Sequence, residues 1–253
     1  MDNLGAGYVL QVRLEIRCLS TACNWALRGC LLVCVLAFLA SVAQLVAAQP
    51  APPAPQARFV VVLDAAHGGN DTGGRLANGQ LEKNFTLAMS ARLRSLLAAR
   101  GIQVVTTRDS DATVEPDKRA EIANHAAAHA CLSLHASQSG SGVYLFASSL
   151  APADPTRFPA WKTAQAAWVT RSIKLAGVLN AALLNAGMSV TLSRTSVPAM
   201  DSMTCPAVAV EITPELNAKH DTIAGLDNKD YQARVAAALA AALLEWRTED
   251  RQP

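Results

Sequence analysis

The sequence predicts an α/β fold: a single three-layer domain with a largely parallel, twisted sheet flanked by helices. Three observations predict it. Strand and helix patterns alternate through most of the chain after residue 58, as in βα units that build a parallel sheet. The strongest strand patterns are unbroken apolar runs, as expected of strands covered on both faces. Three of the strands also carry ionisable residues at or near their carboxyl ends: Asp64 and His67, His135, and Glu211. Parallel neighbours bring such ends to one place, and open α/β folds put their sites there.

Taken in order, the chain begins with a segment that is not fold material. The run Cys30–Ala48 carries no charge, follows Arg13, Arg17 and Arg28, and ends in the small residues of Leu45-Val46-Ala47-Ala48-Gln49. A positive start, an apolar middle and a small-residue exit describe an export signal. At roughly 18 residues or more, the run is also long enough to span a bilayer if retained. Residues 1–48 therefore read as a cleaved signal peptide or a membrane anchor, and both readings stand. The long lead-in points to a start codon downstream of Met1. Gln49-Pro50-Ala51-Pro52-Pro53-Ala54-Pro55 makes residues 49–57 a proline-rich linker. Residues 58–253 remain for the folded domain.

Within that domain Phe59–Leu63 reads as the first strand. Phe85, Met89, Leu93, Leu96 and Leu97 recur at helical spacing between Lys83 and Arg100, and Gly101 sits where a helix C-cap belongs. Ile102–Thr107 is a second strand, and Asp117 is expected to cap a helix through Arg119, Ile122 and Ala126. Ala130–Leu134 is a third strand and Gly142–Phe146 a fourth. A loop over Pro152–Pro159 leads to an alanine-rich helical pattern from about Ala160 to Asn185. Val190–Leu192 reads as a short strand and Ala207–Ile212 as a buried one. The last helix covers Lys229–Trp246.

Composition narrows the function. Hydrophobic residues make up 51% of the chain, enough for a sizeable core, and the net charge is only +2. With 5% aromatic residues and no basic stripe among them, nucleic acid is not an expected partner. Four of the six cysteines (Cys18, Cys23, Cys30, Cys34) lie in the export segment. Cys131 and Cys205 are left either to form one disulfide in an oxidising compartment or to serve as two small buried residues. There is no C-x-x-C, so any metal must be held by histidines and carboxylates.

A catalytic zinc takes three protein ligands and leaves a fourth position to water. His67, Glu82 and His135 fit such a set. A further carboxylate must then take the water's proton and pass it to the leaving group, and Glu211, alone in the apolar strand Val208–Ile212, is the candidate. Each residue has an ordinary alternative. His67 and His135 fit as hydrogen-bonded strand-end residues, Glu82 as a carboxylate at a helix N-terminus, and Glu211 as a partner of Arg119 or Arg194. Asp64 reads as either a support for a ligand histidine or a strand-end cap. Gly68-Gly69 and Gly73-Gly74 lack phosphate-loop spacing and are read as the means of turning the chain between His67 and Glu82. His125, His129 and His220 are read as non-ligands. Trp161 and Trp168, seven apart on an expected helical face, suit packing, with sugar stacking as the alternative.

The blocks VVLDAAHGGNDTG, LEKNFTLAMSARLRSLLAARGIQVVTTRDSD, RAEIANHAAAHACLSLHAS, GVYLF and PAVAVEI, in that order, resemble the zinc-dependent N-acetylmuramoyl-L-alanine amidases of the Amidase_3 type. The resemblance covers roughly residues 59–212 plus the final helix. It implies Zn2+ on His67, Glu82 and His135, with Glu211 as the catalytic glutamate. It implies hydrolysis of the amide between N-acetylmuramic acid and the L-alanine of the stem peptide, in cell-wall remodelling or daughter-cell separation. The implied partners are peptidoglycan and a candidate envelope activator protein, and the implied location is the cell envelope, in the periplasm, with membrane contact only through an uncleaved 30–48 segment. Ala66 stands where the family has glycine, Ser137 where it usually has asparagine, and Thr213–Asn217 replaces the segment that follows the glutamate and shapes the substrate groove. The competing readings are a zinc peptidase of other specificity and a degenerate module that binds wall or regulates a partner. The family can also carry a regulatory helix in the region Ala147–Asn185.

Overall fold

The computed structural model describes residues 28–39, 58–77, 79–154, 156 and 158–250. Contacts divide the chain into Met1–Gln56 and Ala57–Pro253. In the first unit a helix, α1 (28–39), is exposed along its length and carries the free thiols of Cys30 and Cys34. Among the described residues no helix is long and apolar enough to cross a membrane. The signal-like exit at 45–49, Cys18, Cys23 and the whole of the 49–57 linker lie outside the described residues.

The second unit runs β1 (Val60–Ala65), α2 (Glu82–Ala98), β2 (Gln103–Thr106), α3 (Pro116–His125), β3 (Ala130–Ala136), β4 (Val143–Ser148), a 3-10 segment (Trp161–Ala167), α4 (Val169–Asn185), β5 (Val190–Thr195), α5 (Pro198–Asp201), β6 (Ala207–Ile212), β7 (Glu215–Leu216), β8 (Thr222–Ala224) and α6 (Lys229–Asp250). The six-stranded sheet has the order β2-β1-β3-β6-β4-β5. Four of the five pairings are parallel, and only β4 against β6 is antiparallel. The connection 137–142 explains the reversal. It is too short for a parallel crossover, which takes a dozen residues or more, so β4 enters the sheet pointing the other way and β5 follows it.

The apolar runs alternate between two cores, as strands covered on both faces require. Val61, Leu63, Leu132, Leu134, Val208 and Val210 face α2, α4 and α6. Val62, Cys131, Ala207 and Ala209 face the other way, toward α3 and α5. Helix α6 supplies Tyr231, Val235, Leu239 and Leu243 at four-residue spacing to the larger core, each such burial being worth about 1.5–3 kcal/mol. The second face is built from small side chains, which leaves room at its carboxyl edge for polar groups.

Three local readings change. Asp117 does not cap α3: Glu115 is the N-cap and Pro116 holds the first helical position, where proline's missing N–H has no role. The alanine-rich stretch starts as a 3-10 segment with a kink at Thr163, and only from Val169 is it α-helical. Buried Gln165 accounts for this, because its amide donates to the carbonyls of Met203 and Cys205, both at 3.0 Å. Trp161 and Trp168 consequently do not share a helical face. Finally, Cys131 and Cys205 form a disulfide (Cα–Cα 6.3 Å), which decides between the two readings of that pair.

Candidate metal centre

The first strand ends in a turn that buried arginines hold open. His67 has φ +62°, in the left-handed region, which for a non-glycine residue costs of order 1–3 kcal/mol. The Arg119 guanidinium fixes it, donating to the His67 carbonyl at 2.7 Å, to the Ala65 carbonyl at 2.8 Å and to Asp64 Oδ1 at 2.6 Å. Arg108 donates to the Ala65 and Ala66 carbonyls at 2.8 and 2.9 Å. Ala66 itself does not have a positive φ, so alanine fits where the family has glycine. Beyond the turn, Lys83 Nζ donates to the Gly69 carbonyl and Asp111 Oδ2, and Asp111 Oδ1 accepts the Gly69 N–H.

Glu82, the first residue of α2, is buried beneath this turn. Its Oε2 accepts the Gly74 N–H at 2.8 Å and its Oε1 the Ala136 N–H at 3.1 Å. The same Oε1 lies 3.1 Å from His67 Nε2 and 3.2 Å from His135 Nδ1. The donor atoms of His67, Glu82 and His135 all lie within 4.8 Å of one another. Ligands roughly 2.0–2.1 Å from a tetrahedral metal stand about 3.3 Å apart, close to both distances at Oε1, so this donor set fits a metal ion. Gly73, with φ +61°, passes so near that a Cβ there would meet His67 Cδ2 at 2.6 Å and Glu82 Oε2 at 2.7 Å. The glycine pair thus does more than turn the chain, because one of its members packs on two of the candidate ligands.

The nitrogens facing away from this point are also engaged. His67 Nδ1 is 2.8 Å from Asp71 Oδ2. His135 Nε2 is 3.4 Å from Ser133 Oγ, which donates to Asp64 Oδ2 at 2.8 Å. Such outer contacts fix ring orientation and tautomer in metal sites. Asp64 therefore reaches His135 through Ser133, and its other oxygen takes Arg119 and Thr107. Burial pushes the Glu82 carboxyl up, but hydrogen bonds from His135, His67 and the Gly74 and Ala136 amides outweigh it and hold the group far below the usual range. The hydrogen bond to Glu82 raises His67 in turn, against the effect of its own burial.

Glu211 stands directly opposite His135 in the β3–β6 ladder, so the two side chains leave the same face of the sheet. Burial raises its carboxyl above the ordinary glutamate value; nearby His135 opposes this and Glu82 adds to it. Neither arginine considered from sequence is its partner. Arg119 bonds Asp64, and Arg194 donates to the Ser148 and Leu150 carbonyls. A cavity of about 200 Å³ opens at His67 and His135, between the starts of α3 and α5, and Glu211 lies one strand beyond it. The remaining histidines are elsewhere: His125 lies beside Glu121, His129 Nδ1 accepts the Val60 N–H, and His220 is in an exposed loop. Asp71, Ser133 and the two arginines were not singled out as site residues from sequence; Asp71, four residues after His67 in the glycine-rich loop, offered the one local signal. The Thr213–Asn217 departure contains β7, the first strand of the β7–β8 hairpin.

Residues 61–245 match the family model described as N-acetylmuramoyl-L-alanine amidase, Amidase_3. The chain belongs to this family. Among relatives, the amidase AmiA of Escherichia coli (strain K12) is 43% identical over 77 residues, 30% of this chain and 27% of AmiA. AmiC of Neisseria meningitidis serogroup B is 30% identical over 125 residues, 47% of this chain and 30% of AmiC. The matched stretch is thus less than a third of either relative's length. Among solved structures, the catalytic domain of the amidase CwlV from Bacillus (Paenibacillus) polymyxa var. colistinus superposes with TM-score 0.58 at 27% identity, covering 75% of this chain and 98% of CwlV's. Ami1 of Mycobacterium smegmatis gives 0.61 at 21% identity, covering 78% and 100%, a likeness of fold. The largely parallel α/β architecture expected from sequence is the architecture these amidase domains share.

Proposed function

We propose that this protein is a zinc-dependent peptidoglycan amidase that hydrolyses the bond between the lactyl group of N-acetylmuramic acid and the L-alanine of the stem peptide. The observation that carries this reading is the convergence of His67, Glu82 and His135 at the carboxyl edge of β1 and β3, with Glu211 on the adjoining strand. His67 Nε2, Glu82 Oε1 and His135 Nδ1 are the atoms that would hold the metal. When bound, zinc supplies Lewis acidity, lowering the pKa of water towards ~7 and polarising a carbonyl oxygen. Glu211 takes the proton of the attacking water as that oxygen bonds to the lactyl carbonyl carbon. It returns the proton to the nitrogen as the C–N bond breaks, so that a free L-alanyl amine leaves. Its raised pKa suits both halves of that transfer. Asp71, and Ser133 with Asp64 behind it, hold the two rings in place.

Export to an oxidising envelope compartment, the periplasm, belongs to the same proposal. It is supported by the signal-like start and independently by the Cys131–Cys205 disulfide, a bond that persists where thiols are oxidised.

The test digests isolated sacculi with purified protein that contains about one zinc per chain. Mass spectrometry should find intact glycan and freed stem peptides that begin with L-alanine. Cuts within the peptide would replace the amidase with a peptidase, and active protein without metal would remove zinc from the site.

A further inference from the structure

We propose that a groove along α3, reaching from the metal-side cavity to Trp161, is a subsite for the uncharged N-acetylhexosamine backbone of a glycan strand. The substrate side of this inference rests on the amidase reading above, while the groove is a feature of its own. It has a volume of about 630 Å³, and its walls include Glu115, Asp117, Glu121, Asn124, His125 and Trp161. Glu115, the N-cap of α3, also lines the cavity at His67 and His135. The two hollows therefore adjoin, and a polymer held at the metal can continue into the groove.

Trp161 gives the groove its chemistry. It is 57% exposed, whereas Trp246 is buried in the core. A tryptophan left in water at the edge of a cleft marks a contact surface. Its place is fixed in advance, because the 3-10 segment that carries it is anchored by Gln165 on the Met203 and Cys205 carbonyls. Lys162 sits 5.0 Å from the ring centroid and reaches to 4.0 Å from Asp117, across to α3. Along the same groove α3 presents Asp117, Glu121, which is paired with Lys118 at 3.0 Å, and His125, and Asn124 is held by Ser202 and Thr204. An apolar ring in one groove with acceptor groups matches a hexosamine, which shows C–H bonds on its ring face and hydroxyl and acetamido groups at its rim. The three carboxylates Glu115, Asp117 and Glu121 outnumber the two lysines at the groove, Lys118 and Lys162, and so disfavour an anionic polymer. The backbone of a peptide-bearing glycan strand meets that condition, because each lactyl carboxyl on it is consumed in an amide and the remaining charges lie out on the peptides.

The test uses the full chain loaded with zinc. The tetrasaccharide of N-acetylglucosamine is titrated into the protein and binding is followed by the heat released, a signal that does not depend on the tryptophan being replaced. A saturable change is expected in the wild type, lost in Trp161→Ala and kept in Trp161→Tyr. Rates are then compared on intact sacculi and on a single-sugar substrate, muramoyl-L-alanyl-D-isoglutamine. Removing one anchoring tryptophan should raise the half-saturating concentration of sacculi about tenfold and leave kcat/KM on the single sugar within about twofold of wild type. No saccharide response in the wild type, as for a groove that takes a protein segment instead, overturns the subsite. Equal effects of Trp161→Ala on both substrates overturn it too. A wild type that cleaves neither substrate counts against the amidase reading, and the titration, which needs no turnover, still decides the subsite.

Discussion

Two glutamates near the same point live in opposite environments, and that difference suits the separate roles proposed for them. Glu82 is kept ionised by two imidazoles and two backbone amides, as a ligand must be. Glu211 is half-buried without such donors and is pushed upward, as a proton carrier should be. Glu211→Gln should therefore keep its zinc and lose about 10²–10⁴-fold in rate, read by metal analysis beside the release of stem peptides. The sign of the pH effect follows. The carboxylate must be unprotonated to accept a proton, so kcat/KM should fall as pH drops through a value above the usual ~4.3. For stability, a raised folded pKa contributes fully below the unfolded value and is lost as pH rises through the folded one. In zinc-stripped protein at neutral pH, ionised Glu211 therefore opposes folding, and the glutamine variant should melt higher. Unchanged turnover in the variant would remove Glu211 from the reaction. The four residues proposed for the site were legible as candidates because each marks the end of a strand or the start of a helix. Of their supports, Asp64 was legible as one of two alternatives, but the groups that join it were not: Arg119 meets Asp64 across 55 residues and Ser133 meets it across 69, beyond any local pattern.

Among the elements, β1, β3 and β6 were legible as continuous apolar runs, and their parallel adjacency follows from the long connections between them. The antiparallel β4 was written in the shortness of 137–142. The 160–168 stretch misled, because alanine content favours a helix wherever tertiary contacts do not decide, and here Gln165 decides. Cys131 and Cys205 tie β3 to the approach of β6, the strands that carry His135 and Glu211, across a separation of 74 residues. Closing a loop of that length stabilises a fold by about 4 kcal/mol in the chain-entropy picture. For a domain of this size that corresponds to roughly 10 °C. Calorimetry with and without a reductant should show that drop, and a melting point indifferent to reduction would leave the bond without a structural role.

For the whole molecule, the envelope proposal is checked by fractionating cells that express the full chain. The folded domain should be recovered outside the cytoplasm with Cys131 and Cys205 resistant to thiol alkylation. A reduced cytoplasmic pool alone would contradict it. A different consequence comes from where the three metal donors originate. Two flank a loop after β1, and the third closes β3, so the donor atoms meet only when those strands are paired. If zinc is bound there as proposed, its binding and native topology are thermodynamically linked. An ion that recognises only the assembled chain shifts the unfolding equilibrium by mass action, about 4 kcal/mol at a free concentration a thousandfold above its dissociation constant. Protons compete for the same three side chains, so this linkage must weaken in acid. The melting midpoint of the entire domain should climb with the logarithm of buffered free zinc, as one cooperative transition. A chelator that merely loosened the 67–82 loop, with the main transition unmoved, would show that the ion sits on the fold without being part of it.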